Sequence, residues 1–468
     1  MISSNAQRAI KETSHLKSKI AQLPMFKIIP HLRLSRFFSF TLLSIISFCS
    51  PSQCAPTSEI QDESLFSLPY IEYVKTEQAP GKAGTTIYKK DKAFPGYNLY
   101  TSDMIPDGFV HLIDMDGALI HKWAKNPQSE PFLWTQVTPF PNGSIFLTNG
   151  RGGDPDWHRS SLITDGQGGG LDWQLVDATS RPISTYDIPG QEAHHAAYYF
   201  KEGGFLGLVR NKIALPYKDL AVTFWDNSLI QVSPNGKPIK TILLSKLFAN
   251  DPRYKKKLEM AYQKYKKDLE KRQKKKARER LPDFFHANNI ERLEWDIPGI
   301  AKKGSWLVSV RNFNSIIIID PDKEAIIWKW GEGIIDMVHD ASFLKPNNIL
   351  LFDNGHKKSS RVIELDMKSR EIVWQYGRKP GQDLYSRLRG AAQRLPNGNV
   401  LITESDKGHV IEVTDSGEIV WEWYSDFFKE GPHTGKRRAI RSMKRFPYNY
   451  FQNVQFNYGK NQLPIKDQ

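Results

Sequence analysis

The sequence predicts an all-β fold, a six-bladed β-propeller with a charged helical insertion at about residues 249–283 and an N-terminal signal segment. Two observations predict the propeller. A hairpin pattern, in which two apolar strands flank a turn rich in Asp, Gly and Pro, recurs six times. A turn-then-strand pattern precedes most copies, so each unit holds about four strands over about 45–50 residues, the size of a propeller blade.

The hairpin copies share an apolar pair, an acidic or small polar turn, and a second apolar pair that usually ends in an aromatic residue. Trp328 and Trp374 are 46 residues apart, and Trp374 and Trp421 are 47 apart. The copies are HLIDMDGALIHKW (111–123), LVDATSRPISTYDI (175–188), LIQVSPNGKPIKTIL (229–243), IIIIDPDKEAIIWKW (316–330), VIELDMKSREIVWQY (362–376) and VIEVTDSGEIVWEWY (410–424).

The preceding strands follow a Gly- or Asn-containing turn. The strand before the first hairpin is less distinct and is placed near GYNLYTS (96–102). A stack of β-sandwich domains is the alternative, but the aromatic strand ends recur too regularly for it. The five clear examples are PNGSIFLTNG (141–150), EGGFLGLVRN (202–211), KGSWLVSVRN (303–312), PNNILLFDNG (346–355) and PNGNVLITES (396–405).

Composition and charge narrow the function. The chain has 468 residues, of which 40% are hydrophobic and 25% charged, so disorder as the main state is excluded. The net charge of +14 would suggest a nucleic-acid partner. However, residues 1–36 carry +6 and residues 251–283 carry +8, which accounts for all of it. The body is near neutral, and no nucleic-acid binding is expected.

Residues 1–55 are expected to be an N-terminal extension and signal peptide. The uncharged 13-residue run FFSFTLLSIISFC follows Arg33 and Arg36 and precedes small polar residues, the order of a secretory signal. It is short for a membrane span, so export to the periplasm or outside the cell is expected. Met25 would begin a signal of normal length, and a buried apolar strand is the alternative. The two cysteines lie at the signal end, so no disulfide is expected in the mature protein.

The remaining boundaries follow from composition. Residues 56–95 are expected to form a linker, 96–430 the propeller and 431–468 a basic tail. Within the insertion, apolar residues at steps of three and four predict a long helix lying on the propeller face. A weak contact between the 251–283 helix and an anionic surface is the alternative role. The apolar residues that predict this helix are Tyr254, Leu258, Tyr262, Tyr265 and Leu269.

Three histidines occupy one position of the repeat. His195, His286 and His339 each lead the first strand of a blade, and equivalent ends of the inner strands meet at one mouth of the channel. Arg210 and Arg311 end strands in LVRN and SVRN, and guanidinium groups beside imidazoles would form an anion pocket. Three histidines could also bind Zn²⁺, but neighbouring arginines disfavour a cation, so neither a metal nor a cofactor is expected.

Five segments around these residues carry a resemblance to a known family. They are DFFHANNIE (283–291), SWLVSVRNFNSIIIID (305–320), VHDASFLKPNNILLFDNG (338–355), SRVIELDMKSREIVWQYG (360–377) and LYSRLRGAAQRLPNGNVLITES (384–405). The chain resembles the PAPS-independent arylsulfotransferase (aryl-sulfate sulfotransferase) family. The resemblance covers about residues 190–425 and is most specific from 338 to 405. The HDASF form is more similar to the broad bacterial and fungal-like branch than to the enteric periplasmic enzymes.

The resemblance implies a six-bladed propeller that moves a sulfuryl group from an aryl sulfate to a phenol by a ping-pong reaction through a sulfohistidine. It implies His339 as the nucleophile and places His286, in FHAN, and Arg311, in SVRN, in the site. The remaining family histidine matches His195, with His194 as the alternative, because this chain has HHA where the family commonly has HHD.

The chemistry also needs a proton carrier, because a phenolate leaves and a phenol attacks. His195 is the preferred candidate for this role. The candidates for substrate binding are Asn288, His194 and Arg210, and Asn288 is also expected to orient His286. Strand alternation is expected to turn Asp340 away from the imidazoles. Two nearby residues are expected to be structural: Arg361 and Asn354.

Two other functions stay open at this stage. A non-catalytic propeller that binds a ligand or protein would need only the turns and aromatic strand ends. A quinone-cofactor propeller is suggested by DMKSREIVWQYG, but such proteins usually need eight blades and a calcium site. For the sulfuryl transfer that the resemblance implies, the expected partners are a small aryl sulfate and a phenol.

Overall fold

The computed structural model describes residues 82–102, 109–124, 132–151, 170–188, 191–272, 281–355, 359–426 and 439–456. They all belong to the second of two units into which the chain divides, Ile60–Gln468. The expected signal segment, residues 1–55, lies outside the described residues.

Strands dominate the described residues. Two helices accompany them, α1 (Leu244–Leu247) and α2 (Pro252–Arg272). The strands are β1 (Gly84–Tyr88), β2 (Tyr97–Ser102), β3 (Phe109–Ile113), β4 (Leu119–Ala124), β5 (Phe132–Pro139), β6 (Ile145–Arg151), β7 (Gly170–Val176), β8 (Pro182–Tyr186), β9 (Glu192–Tyr199), β10 (Phe205–Tyr217), β11 (Leu220–Val232), β12 (Pro238–Leu243), β13 (Ala287–Arg292), β14 (Trp306–Val310), β15 (Ser315–Asp320), β16 (Ala325–Trp330), β17 (His339–Leu344), β18 (Asn348–Asp353), β19 (Arg361–Asp366), β20 (Ile372–Tyr376), β21 (Ala391–Arg394), β22 (Val400–Glu404), β23 (His409–Val413), β24 (Ile419–Tyr424) and β25 (Ile440–Phe446).

The strands form six antiparallel sheets, which confirms the predicted six-bladed propeller. The first blade has the order β25-β2-β3-β4, and the second to fifth blades are β5–β8, β9–β12, β13–β16 and β17–β20. The sixth blade is β21–β24 with β1 added at its outer edge. The inner strands β5, β9, β13, β17, β21 and β25 contact one another in sequence, and β25 returns to β5. They therefore enclose the channel at whose mouth the candidate residues lie.

The acidic turn of the repeat has a direct structural role. In the second blade, the Asp177 carboxylate accepts hydrogen bonds from the backbone N–H groups of Thr179 (2.8 Å) and Arg181 (2.9 Å). Such a side-chain bond stabilises the turn and so fixes the pairing of its two strands. Equivalent turns are closed by Asp114, Asp320 and Asp366.

The recurring tryptophans join neighbouring blades. Each donates its indole N–H to a backbone carbonyl in the next blade, which explains why the aromatic residue recurs at the interval of one blade. The pairs are Trp123 with Gly143 (3.0 Å), Trp328 with Met367 (3.3 Å), Trp374 with Asp415 (2.8 Å) and Trp421 with Met115 (2.8 Å). The last pair joins the sixth blade to the first, so it closes the ring.

Two strands lie outside the range expected for the propeller, which corrects two expected boundaries. Strand β25 lies within residues 431–468, expected to be a basic tail, and β1 lies within 56–95, expected to be a linker. Arg445 of β25 is 2% exposed and binds Glu412, Asn98 Oδ1 (2.7 Å) and the Phe94 carbonyl (3.0 Å). Part of the basic charge of the expected tail is therefore buried and paired inside the propeller.

The insertion between the third and fourth blades contains the predicted long helix, α2 (Pro252–Arg272), and residues 273–280 of the insertion lie outside the described residues. Tyr254, Leu258 and Tyr262 are buried with the apolar face of the long hairpin β10–β11. The contact with an anionic surface stays a prediction. No helix in the described part of the chain has the length and apolar character needed to cross a membrane.

Candidate functional site

The candidate residues lie at the start of the inner strands of three successive blades. His194 and His195 lie in β9, His286 directly precedes β13, and His339 begins β17. All four side chains are at least nine-tenths buried. The sequence register therefore identified one cluster across residues that are far apart in the chain.

Both His194 and His195 belong to this cluster. Adjacent residues of a regular strand point to opposite faces, but the pairing of β9 with β10 is irregular opposite Gly207 and Val209. The two imidazole centroids are consequently only 4.0 Å apart. The His286 ring lies 5.2 Å from that of His194 and 5.8 Å from that of His195.

His286 is held by an aspartate that the sequence did not single out. Its Nδ1 lies 2.5 Å from Asp283 Oδ2, and the other carboxylate oxygen accepts the His286 backbone N–H at 3.2 Å. His286 has a positive φ of 47°, which turns the backbone so that a carboxylate three residues earlier reaches its ring. Asp283 is the last residue of the charged insertion predicted at about residues 249–283, and no sequence motif links it to an imidazole.

His339 is held differently, by two neutral acceptors. Its Nδ1 lies 2.8 Å from the Met337 carbonyl and 2.7 Å from Asn354 Oδ1. The Asn354 amide nitrogen donates to the carbonyls of Ser386 (2.7 Å) and Arg389 (2.9 Å), so its oxygen must face the histidine. Nδ1 therefore carries the proton and Nε2 the lone pair. Within the described residues, buried Nε2 has no hydrogen-bond partner.

The outcome for the two residues expected to be structural is mixed. Arg361 binds Asp353 (2.9 Å) and the Ile334 carbonyl (2.8 Å), contacts that agree with a structural role. The expectation for Asn354 was wrong, because its amide fixes the tautomer of His339. The sequence segment DNG suggested only a turn, and nothing in it indicates that the amide reaches an imidazole 15 residues earlier.

Two arginines, Arg311 and Arg210, add positive charge near the histidines. The Arg311 backbone N–H donates to the His286 carbonyl (3.3 Å), and its charge acts on both His286 and His339. Arg210 lies against the Trp225 ring at 4.3 Å, and its charge acts on His194. Its Nη1 is 3.9 Å from a Glu192 oxygen, but no guanidinium nitrogen of Arg210 makes a hydrogen bond within the described residues.

Two further sequence candidates have roles different from those expected. Asn288 does not contact His286 through a hydrogen bond in the described structure: its amide nitrogen donates to the Val338 carbonyl (3.1 Å), directly before His339. Its buried Oδ1 has no partner among the described residues. Asp340 accepts from the Ala392 N–H (3.0 Å) and Lys444 (2.9 Å), so it points away from the imidazoles as alternation predicts.

Electrostatics separate the histidines. Burial, and next the positive charge of Arg311, lower the pKa of His339 to about 3, although the hydrogen bonds that its ring donates to Asn354 and Met337 oppose the shift. Burial also lowers the pKa of His195 well below its usual value, and His194, His286 and Arg441 add to this effect. For His286, burial again lowers the pKa, but Asp283 opposes the shift. Burial thus favours the neutral form of all three rings, and contact with a carboxylate distinguishes His286 from the other two.

A metal could in principle use part of this cluster. His194, His195 and His286 each offer a ring nitrogen, and these atoms lie within 4.8 Å of one another. The positive charges of Arg210 and Arg311 act on the same rings and would repel a cation. The donor set is therefore better suited to an anion, and we assign no metal to it.

Comparisons with solved structures found several similar chains. They include a protein of unknown function from Bacteroides caccae (14% identical, covering 70% of this chain and 94% of that chain, TM-score 0.43). Another is apo AztD from Citrobacter koseri (9% identical, covering 75% of this chain and 99% of that chain, TM-score 0.36). A third is virginiamycin B lyase from Staphylococcus aureus (9% identical, covering 74% of this chain and 89% of that chain, TM-score 0.35). TM-scores this low support no functional inference. No curated protein matched the chain.

Family models identify the chain more directly. Two models, both described as Arylsulfotransferase (ASST), match residues 99–335 and 251–426. The first of these ranges is just over half of the chain, and the two overlap across the segment that contains Asp283, His286 and Arg311. The chain therefore belongs to the arylsulfotransferase (ASST) family.

Proposed function

We propose that this protein transfers a sulfuryl group from an aryl sulfate to a phenol in a ping-pong reaction through a sulfohistidine on His339. The observation that supports this most strongly is the state of the His339 ring. Nδ1–H is bound by two acceptors, so Nε2 presents a lone pair that no described residue engages. A pKa of about 3 keeps the imidazole neutral at ordinary pH, as a nucleophile must be.

In the first half-reaction, Nε2 attacks sulfur, an N–S bond forms and the S–O bond to the aryl group breaks. The phenolate leaves with the bonding electron pair and takes a proton from the site. In the second, the acceptor phenol loses a proton, its oxygen attacks sulfur, and the N–S bond breaks to restore neutral His339. Division into two displacements lets one site serve different donors and acceptors.

Charge at the site suits a sulfate monoester. Arg311 is buried, and its positive charge acts on His339, so it is placed to bind the sulfuryl oxygens while charge moves between nitrogen, sulfur and oxygen. Arg210, His194 and Asn288 are proposed to bind other parts of the substrate. Support comes from the buried guanidinium nitrogens of Arg210 and the buried Oδ1 of Asn288, which make no hydrogen bond within the described residues, and from the position of the His194 ring among the other imidazoles.

The proposed setting is outside the cytoplasm, on the basis of the signal-like segment in residues 1–55. Two small molecules, an aryl sulfate and a phenol, are the proposed partners. The reaction needs no nucleotide, because the aryl sulfate itself supplies the activated group.

The test uses purified full-length protein with 4-nitrophenyl sulfate and an added phenol. We expect nitrophenol release, formation of the aryl sulfate of the acceptor, and a mass increase of about 80 Da on His339 when the acceptor is omitted, the mass of one sulfuryl group. His339→Ala should abolish both the adduct and the transfer. Release that is unchanged in this variant would exclude His339 as the nucleophile. A wild-type protein that binds aryl sulfates without turnover would instead be a binding propeller.

A further inference from the structure

The pair formed by Asp283 and His286 has no assigned role in the transfer, although it is buried beside the nucleophile. Asp283 is 7% exposed and His286 is 2% exposed. The contact of 2.5 Å between Nδ1 and Oδ2 joins a ring to a carboxylate, whereas His339 has only neutral acceptors. The two imidazoles therefore differ in the group that binds Nδ1.

The backbone holds Asp283 rigidly. Its carbonyl accepts from the Asn312 side chain (2.8 Å), and its segment pairs with Trp225 in an isolated parallel bridge. The Trp225 backbone N–H also donates to the Pro282 carbonyl at 2.8 Å. The carboxylate is thus fixed from the third blade and from the fourth, and it fixes the orientation of the ring in turn.

Because Nδ1 donates to the carboxylate, Nε2 is the ring nitrogen that can exchange a proton with a substrate. The site contains several groups that oppose a positive charge on this ring. Arg311 and Arg210 act on it directly, and the rings of His194, His195 and His339 are neighbours. Asp283 is the negative charge in contact with His286, so it opposes the effect of burial and of the arginines, which together still lower the pKa of the ring.

We propose that Asp283 is a positioning residue that makes His286 the proton carrier of both half-reactions. This rests on the proposed sulfuryl transfer. In the first half-reaction, the Nε2–H bond of the His286 imidazolium breaks, and its proton passes to the departing phenolate oxygen. In the second, neutral Nε2 takes the proton from the acceptor phenol. One proton is lent and returned, so His286 ends each cycle as it began.

His195, the carrier expected from the sequence, lacks this support. Its pKa is lowered well below the usual value by burial, and the neighbouring His194, His286 and Arg441 lower it further. Burial also lowers the pKa of His194, and the charges of His286 and Arg210 lower it further. The negative charge of Asp283 opposes this shift but does not outweigh it. Contact with a carboxylate thus favours His286 for the role.

The test compares donors whose leaving groups differ in basicity. Phenolate, with a conjugate acid pKa of about 10, needs a proton to leave, whereas 4-nitrophenolate is a weaker base and leaves more easily without one. General acid catalysis contributes about 10²–10⁴-fold. Asp283→Asn should therefore lower single-turnover release from phenyl sulfate about 100-fold, and release from 4-nitrophenyl sulfate less than about 10-fold.

Asp226→Asn is the matched control. Asp226 is fully buried and lies near Asp283, but it binds Ser245 Oγ (2.5 Å) and the Asn227 N–H (2.8 Å) and does not contact an imidazole through a hydrogen bond in the described structure. It should leave the ratio of the two donor rates unchanged. Asp283→Glu should restore part of the lost rate with phenyl sulfate.

If Asp283→Asn lowers the release rates from both donors by the same factor, or lowers neither, the ratio of the two rates stays at its wild-type value. That result would overturn the proposal, while sulfuryl transfer itself would stand. If Asp283→Asn does not fold, His286→Gln is measured in the same way, and the same result would overturn it. Wild-type protein that transfers from neither donor would instead remove the proposed function. The failure of the pair and the failure of the reaction are therefore distinguishable.

Discussion

Replacement of Asn354 by alanine tests whether the orientation of the His339 ring matters for transfer. The amide makes three hydrogen bonds, to His339 Nδ1 (2.7 Å) and to the carbonyls of Ser386 (2.7 Å) and Arg389 (2.9 Å). A buried hydrogen bond contributes about 0.5–1.5 kcal/mol, so Asn354→Ala should lower the free energy of unfolding by about 1.5–4.5 kcal/mol.

The effect on rate should be smaller than the loss of stability. The Met337 carbonyl still accepts from Nδ1–H at 2.8 Å, so only one of the two bonds that fix the tautomer is lost. A change of about 1 kcal/mol in the barrier corresponds to about fivefold in rate, and about 1.4 kcal/mol to tenfold. We therefore expect formation of the sulfo-enzyme from 4-nitrophenyl sulfate to slow about five- to tenfold, measured as a single-turnover release of nitrophenol.

Asn399→Ala supplies the comparison. Asn399 is also buried and its amide makes two hydrogen bonds, to Glu412 (2.6 Å) and to the Lys92 carbonyl (2.9 Å), away from the histidines. It should reduce stability without slowing adduct formation. If Asn354→Ala retains the wild-type rate, or if Asn399→Ala slows the reaction as much, then the Asn354 bond does not prepare the nucleophile.

Two further predictions concern stability. Glu412→Gln removes the negative charge paired with Arg445. Because both side chains are fully buried, the free energy of unfolding measured in urea should fall by about 3–5 kcal/mol. Glu418→Gln, at an exposed ion pair, should change it much less, and equal changes in the two variants would contradict the closure role of β25. His409 contacts Glu404 (2.8 Å) and Glu422 (3.1 Å), and although burial lowers its pKa, these carboxylates raise it overall. The stability that protonated His409 contributes should be fully present below the unfolded pKa of about 6.5 and should be lost as the pH rises through the higher folded pKa. The difference in Tm between the wild type and His409→Gln should therefore be largest in acid. A difference that does not change with pH would count against a charged His409.

The fold was predictable because the blade repeats its chemistry. An Asp at the turn and a Trp at the strand end can be read from the sequence, and both have local roles that the structure confirms in turn closure and blade contact. The closing strand β25 could not be read in this way. Its sequence IRSMKRF is basic, and its partner β2 lies more than 300 residues earlier, so no local pattern joins the two.

The candidate site was predictable only in part. Register placed His195, His286 and His339 at one end of the inner strands, because equivalent positions of a propeller converge. It could not show which atom binds each ring. Asp283 reaches His286 through a left-handed backbone residue, and Asn354 reaches His339 from the following strand. Both contacts depend on three-dimensional geometry, so the sequence suggested His195 as the proton carrier and missed the carboxylate beside His286.

In the proposed reaction, the two central imidazoles, His339 and His286, differ in function because different groups bind their Nδ1 atoms. Neutral acceptors on His339, with Arg311 nearby, disfavour its imidazolium and leave a lone pair for sulfur. A carboxylate on His286 favours an imidazolium that can give up a proton. If both rings had neutral acceptors, neither could protonate a phenolate; if both had carboxylates, the nucleophile would be protonated more readily and lost. A site that transfers sulfuryl groups between phenols therefore needs this asymmetry, and Asn354 and Asp283 are the residues that create it.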